Sequence, residues 1–347
     1  MHSVKYFFLF LFLLCSSALS QESNDRIIVV GDSLVGKVVN GESIREVVGN
    51  VVMTQGNVVV NCDLAIQYLA KNEAELIGNV VVKQDSLTLK TPRGFYFGDL
   101  RKTKSTSGIE LDDKKVNLKA DSGEYFFNND LAIFTSNVSL VDSVSTMSSQ
   151  ELYYYKNEDR AIAVKNVQIE SGNNVINADS LIHFRKSQTS FAFNNVMISN
   201  PENNSVVYGD YLEDYNKKKF TIIDKNPVLM QIDSTIQRSD GEVTGFKVDT
   251  LIIKCRRMEA YRDSTNLFKA IDSVKIVRNE FSSVNDLTLY YRADDLIITE
   301  KLNDTSAVPV LWYDNSQLTG DSISIQLDGN RIKTLEVINN AFMLSQH

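Results

Sequence analysis

"VVGNVVMTQGNVVV" (residues 47–60) and "LIGNVVVKQ" (residues 76–84) each write Gly-Asn-Val and then alternate apolar with variable residues. The register returns every 29 residues, with starts at Asn50, Asn79, Gly108, Asn137, Asn166 and Asn195. The residue after each start is apolar: Val51, Val80, Ile109, Val138, Val167 and Val196. Two further on stand Met53, Val82, Leu111, Leu140, Ile169 and Ile198, and the residues between are mixed. Apolar–variable–apolar alternation is the pattern of a half-buried strand.

A second column carries the same period. Eighteen residues after the first five starts come Tyr68, Phe97, Phe126, Tyr155 and Phe184. Thirteen residues after them come Asp63, Pro92, Asp121, Gln150 and Asp179, mostly turn formers. Polar pairs such as Asn129 and Asp130 mark a further turn. Each unit therefore reads as strand, bend, strand, turn, strand. Asn at the start suits a tight turn, because it tolerates positive φ and bonds its own backbone. A fixed period of this kind predicts stacked units that cannot bury their apolar faces alone. The fold class expected is all-β and elongated, with equivalent side chains in columns.

The register loosens after about residue 200 and returns at Ser273, with Val274, Ile276, Asp286 and Tyr291 in their places. "NPVLMQID" at 226 and "VPVLWYDN" at 308 form a second matched pair, and "SDG" at 239 and "LDGN" at 327 read as hairpin turns. Residues 21–347 read as one elongated region, regular over 49–200 and less regular over 201–347, with 26–48 as an incomplete capping layer.

Composition agrees with strands and turns. The chain is 43% hydrophobic and 23% charged, with 14 Tyr, 17 Phe and only 4 Pro. Its net charge of −8 and lack of a basic stripe argue against nucleic acid. Residues 1–20 read as a secretory signal peptide: Lys5, an apolar run over 6–14, then "ALS" before Gln21. That run is far short of the roughly 20 residues that span a bilayer. Bulky Leu14 before Cys15 argues against lipidation. Cys62 and Cys255 remain after export, 193 residues apart, and read as unpaired thiols packed as small apolar groups.

Little here supports catalysis, a cofactor or a metal site. His2 leaves with the signal, His347 is terminal, and His183 reads as a satisfied surface or edge histidine. Asp63, Asp121 and Asp179 form a partial acidic column. A calcium ladder or a sugar-cleaving carboxylate set is the sharp reading. Pro92 and Gln150 interrupt the column, and bend residues bonding the backbone are the plainer one. The apolar columns also have two readings, a dry core between sheets or a groove open to a ligand.

At this point the chain resembles the OstA-like family, related to the periplasmic lipopolysaccharide-transport proteins LptA and LptC and the N-terminal domain of LptD. The residues that carry the resemblance are the Gly-Asn-Val starts at 49–51 and 78–80, "CDLAIQY" at 62–68, "NADSLIHF" at 177–184 and "VLWYDNSQLTGDSI" at 310–323. The resemblance implies an open β-jellyroll, V-shaped in section, with a groove for lipid A acyl chains. The columns assigned to that groove are Val51, Met53, Tyr68, Val80, Val82, Phe97, Phe126, Val138, Leu140, Tyr155, Val167, Ile169 and Phe184. It also implies a periplasmic location and a non-enzymatic role in carrying or bridging lipopolysaccharide to the outer membrane of a Gram-negative cell. The partners implied are lipopolysaccharide, other Lpt-type β-jellyroll proteins joined through edge strands, and further copies arranged head to tail. The alternatives are a structural or adhesive β-solenoid of the envelope with a closed core and, third, a β-helical polysaccharide-cleaving enzyme.

Overall fold

Two successive left-handed residues interrupt six of the long strands, mostly every second one, near their middle. The structure is a computed structural model that describes residues 26–345, apart from 240–241, 279–280 and 329–330. The signal peptide at 1–20 and the tips of the "SDG" and "LDGN" turns lie outside the described residues. Gly49 and Asn50 have φ of 78° and 44°, Gly78 and Asn79 have 76° and 46°, and Asn194 and Asn195 have 59° and 49°. Ser136 with Asn137, Lys165 with Asn166, and Asp272 with Ser273 repeat the pair. Each pair coincides with a slip in the ladder, as between Val48 and Val51 and between Ile77 and Val80. These are β-bulges, which bend a strand and need residues that tolerate positive φ. The Gly-Asn starts of the sequence are therefore corners, and a fold line runs through them.

The corner is held by side chains. The amide Nδ2 of Asn79 donates to Asp63 Oδ2 at 2.9 Å, that of Asn137 to Asp121 at 2.7 Å and that of Asn195 to Asp179 at 2.8 Å. Asn50 with Asp32 and Asn340 with Asp321 repeat the bond. The acidic column thus consists of acceptors for the corner asparagines of the next unit, where bonds to backbone were expected. Among the described residues no three His, Cys, Asp or Glu side chains gather closely enough to hold a metal ion.

All pairings are antiparallel, and one ladder of 28 strands runs through the described chain. The strands Glu42–Gln55, Val58–Tyr68, Glu73–Gln84 and Leu87–Phe97 pair each with the next. The structure is an elongated β-jellyroll, one continuous meander folded lengthwise along its corners, so that each long strand contributes half to each of two facing sheets. One unit is an outgoing bent strand and its return, rather than three separate strands.

Alternation decides what faces inward. In the first sheet, Met53, Val60, Val82, Leu89, Leu111 and Leu118 are successive cross-strand partners and all are buried. The row continues through Leu140, Ile169 and Ile198 to Leu229 and Ile276. In the second sheet, Tyr96, Thr103, Tyr125, Ala132, Tyr154 and Ala161 pair in succession. Large and small residues alternate there, so that the two inner faces interdigitate. Cys62 and Cys255 are free and buried. Burial pushes both thiols up to about 11, so neither is an appreciable thiolate at neutral pH.

Both ends of the ladder expose apolar strands. Ile28, Leu34 and Val38 are exposed at one end, and Phe342, Met343 and Leu344 at the other. Such edges are templates for further pairing.

Candidate functional site

The space between the two sheets changes character along the molecule. From residue 27 to 159 its free margins, the lips opposite the fold line, are tied together. Tyr96 Oη donates to Gln55 Oε1 at 2.7 Å, and Gln55 Nε2 donates to the Gly98 carbonyl at 3.1 Å. Arg101 Nη2 donates to Asn57 Oδ1 at 2.9 Å. Tyr154 Oη donates to Asp113 Oδ2 at 2.7 Å, and Lys115 Nζ lies 3.3 Å from Asp159 Oδ1. Each bond joins the hairpin end of one sheet to the facing sheet. Burial, against the opposing charge of Arg101, pushes the Tyr96 phenol up to about 12, and burial with the Asp113 hydrogen bond pushes Tyr154 higher still. Both phenols are therefore donors at every physiological pH. This stretch is a zipped, dry core.

Beyond Asp159 the lips bond along themselves instead. Asn200 Nδ2 donates to Asn174 Oδ1 at 2.9 Å on one lip. On the other, Asn216 N–H donates to the Gln188 carbonyl at 3.0 Å. Here a cavity of about 420 Å³ opens between the sheets, within the roughly 300–1,000 Å³ of small-molecule sites. Its floor is apolar: Ile169, Ile176, Ile198, Val207, Leu229 and Phe268. Its polar lining runs from Ser145, Ser171 and Asn174 to Arg292. His183 Nδ1 lies 2.9 Å from Ser190 Oγ, while Nε2 is buried without a hydrogen-bond partner among the described residues. Burial holds this imidazole below its usual range, so it is neutral at pH 7. Asp214 accepts from Thr221 Oγ1 and from Arg262 Nη2, each at 2.7 Å. Glu259 accepts from Arg257 Nε at 2.9 Å and Tyr261 Oη at 3.0 Å.

The columns assigned to a groove from sequence divide into two sets. Val51, Met53, Val80, Val82, Val138, Leu140, Val167 and Ile169 face the intersheet space and are buried. All but Ile169 lie outside the lining of the open cavity. Tyr68, Phe97, Phe126, Tyr155 and Phe184 do line up, linked across the sheet through Glu73, Lys102, Leu131 and Arg160. However, they are half-buried on the outer face, opposite the core. Lys102 Nζ sits 5.1 Å from the Phe97 ring centre and 5.2 Å from that of Phe126, and Arg160 sits 4.0 Å from that of Tyr155. The row is a cation–aromatic ladder on the outside. The inward row is one residue earlier: Gln67, Tyr96, Tyr125, Tyr154 and His183. His183 is thus an interior residue, where a surface or edge position was expected. At Asp63, Asp121 or Asp179 the chain turns the corner opposite a bulge, and the buried positions change phase before the aromatic, as from Cys62 to Ala65; this signal could have found the true inner row.

Comparison with known proteins gives a family match over part of the chain and a distant structural likeness. Residues 25–179 match the family described as OstA-like protein. Among solved structures the chain is similar to LptH of Pseudomonas aeruginosa, described as the LptA homologous periplasmic component of the conserved lipopolysaccharide transport device. The identity is 11% and the TM-score 0.22, over 43% of this chain and 96% of that one. No curated protein matches the chain.

Proposed function

We propose, from the match of residues 25–179 to the OstA-like family, that the protein is a non-enzymatic carrier of lipopolysaccharide in the cell envelope. Acyl chains lie between its two sheets. The observation that carries this reading is the cavity of about 420 Å³, floored by aliphatic side chains, that opens where the ties between the lips give way. Each buried CH₂ contributes about 0.8 kcal/mol, so a chain of about a dozen carbons is held by roughly 10 kcal/mol. Escape into water is then slow. Sliding along the aliphatic row from Ile169 to Leu229 changes buried area little and is easy by comparison. The setting we propose is the periplasm of a Gram-negative cell. Its partners are other β-jellyroll proteins, or further copies, adding strands at the exposed edges near Val38 and Phe342. The net charge of −8 leaves lipid phosphates to solvent cations rather than to a basic surface.

A second reading, a structural solenoid of the envelope, is favoured by the zipped stretch at 27–159, whose lips are tied shut. Purified lipid A separates the two. A carrier gains about 2.7 kcal/mol of unfolding free energy at a free ligand concentration of 100 times Kd, and its melting temperature rises. A melting temperature unmoved by lipid A, with no lipid found by mass spectrometry in protein taken from cells, selects the solenoid.

A further inference from the structure

In the later layers one residue follows the outer aromatic position and turns back toward the intersheet space at the lip of the second sheet. Its N–H bonds a carbonyl of the preceding hairpin: Lys156 to Asp130, Arg185 to Asp159, Arg262 to Lys219 and Arg292 to Asn266, at 2.7–3.2 Å. The first three of these cations carry an acid. Lys156 Nζ lies 3.7 Å from Asp130 Oδ1, Arg185 pairs with Asp159, and Arg262 Nη2 lies 2.7 Å from Asp214 Oδ1. Arg292 lines the cavity, and where Asp130 and Asp159 stand in earlier layers it has Asn266. Among the described residues no carboxylate or hydrogen-bond acceptor meets its guanidinium, which rests 5.5 Å from the Phe268 ring centre. Burial holds this guanidinium below its ordinary value, as expected for a cation facing an apolar space without a counter-ion.

The other charged groups of the lining are paired. Asp214 is matched by Arg262, Glu259 shares Arg257 with Asp224, and His183 is neutral. Arg292 is the lining cation that no acid meets among the described residues, and its planar fork suits a carboxylate. We propose that the cavity takes a single-chain amphiphile ending in a carboxylate, with its chain along Ile176, Ile198 and Leu229 and its carboxylate on Arg292. This rests on the reading that the intersheet space accepts acyl chains. One guanidinium balances a monoanion, and a phosphate monoester would bring a charge that nothing in the lining offsets.

The test is titration of the full chain with dodecanoate, dodecan-1-ol and dodecyl phosphate. Dodecanoate is expected to bind about tenfold more tightly than the alcohol, the margin of a hydrogen-bonded charge pair. Arg292→Gln should remove that margin and leave alcohol binding unchanged, while Arg292→Lys should keep part of it. Arg292→Met serves the same purpose if the glutamine variant fails to fold. Ile198→Trp, which fills the floor, should weaken acid and alcohol alike. Equal affinity for acid and alcohol, a preference that survives loss of Arg292, or tighter binding of dodecyl phosphate would each overturn the carboxylate assignment. Binding of neither probe, or of both undiminished by Ile198→Trp, would overturn the acyl-chain reading with it.

Discussion

Phe134→Ala is expected to lower the unfolding free energy by about 3–5 kcal/mol, among the largest effects of any single truncation in this chain. Phe134 is fully buried and stands directly across the ladder from Gly123. A Cβ on Gly123 would fall inside the Phe134 ring, with Ile109 Cγ2 3.1 Å away. The ring therefore occupies the space that a side chain at 123 would fill, and Gly123 has none to give back. Removing the ring leaves a cavity lined by rigid strand on both sides, which cannot collapse well. The converse change, Gly123→Ala, overpacks the same spot and should cost about 1–3 kcal/mol. Combined with Phe134→Leu, it should cost less than the two changes summed, because each relieves the other. Urea unfolding followed by circular dichroism measures all of these. A loss below about 1 kcal/mol for Phe134→Ala would mean that the sheets do not pack there as described.

Asp249→Ala should cost a similar amount, about 3–5 kcal/mol, for a different reason. Arg278 Nε donates to Asp249 Oδ2 at 2.8 Å, and the two side chains are only 7% and 6% exposed. Taking away the carboxylate removes the charge that Arg278 meets at 2.8 Å in a site with little water. Replacing both partners, Asp249→Leu with Arg278→Met, removes the penalty together with the attraction and should restore most of the stability. The order single variant, double variant, wild type in rising stability is the expected result. A double variant as unstable as Asp249→Ala would show that the pair matters through packing rather than charge.

Much of the fold is legible in the sequence, because the corners are written in it. Gly49 and Asn50 can take left-handed φ cheaply, and so their recurrence at Gly78 and Asn79 marks the fold line before any contact is known. The apolar alternation after each corner, as in Val51 and Met53, is short and uninterrupted, and its inward direction reads correctly. The aromatic column misleads for a reason of the same physics. Between Met53 and Tyr68 the chain passes a hairpin and the corner at Asp63, opposite the bulges of the neighbouring strands, and each shifts the alternation. Aromatic residues stand out in the sequence, but here they carry cations on the outer face, while the inner row mixes Tyr96 with Gln67 and His183. The ties across the lips are illegible for another reason. Tyr96 and Gln55, like Tyr154 and Asp113, come from different units, so no pattern within one unit marks them. Arg292 keeps the register, one residue after Tyr291, and only its neighbours in space reveal that it lacks an acid.

The most direct measurement of the central claim, that lipid lies between the sheets where the lips part, is photo-crosslinking to lipopolysaccharide. A photoreactive side chain placed at Ile198, on the cavity floor, should crosslink, whereas the same group at Phe126, on the outer ladder, should not. Crosslinks at Phe126 with none at Ile198 would contradict the account.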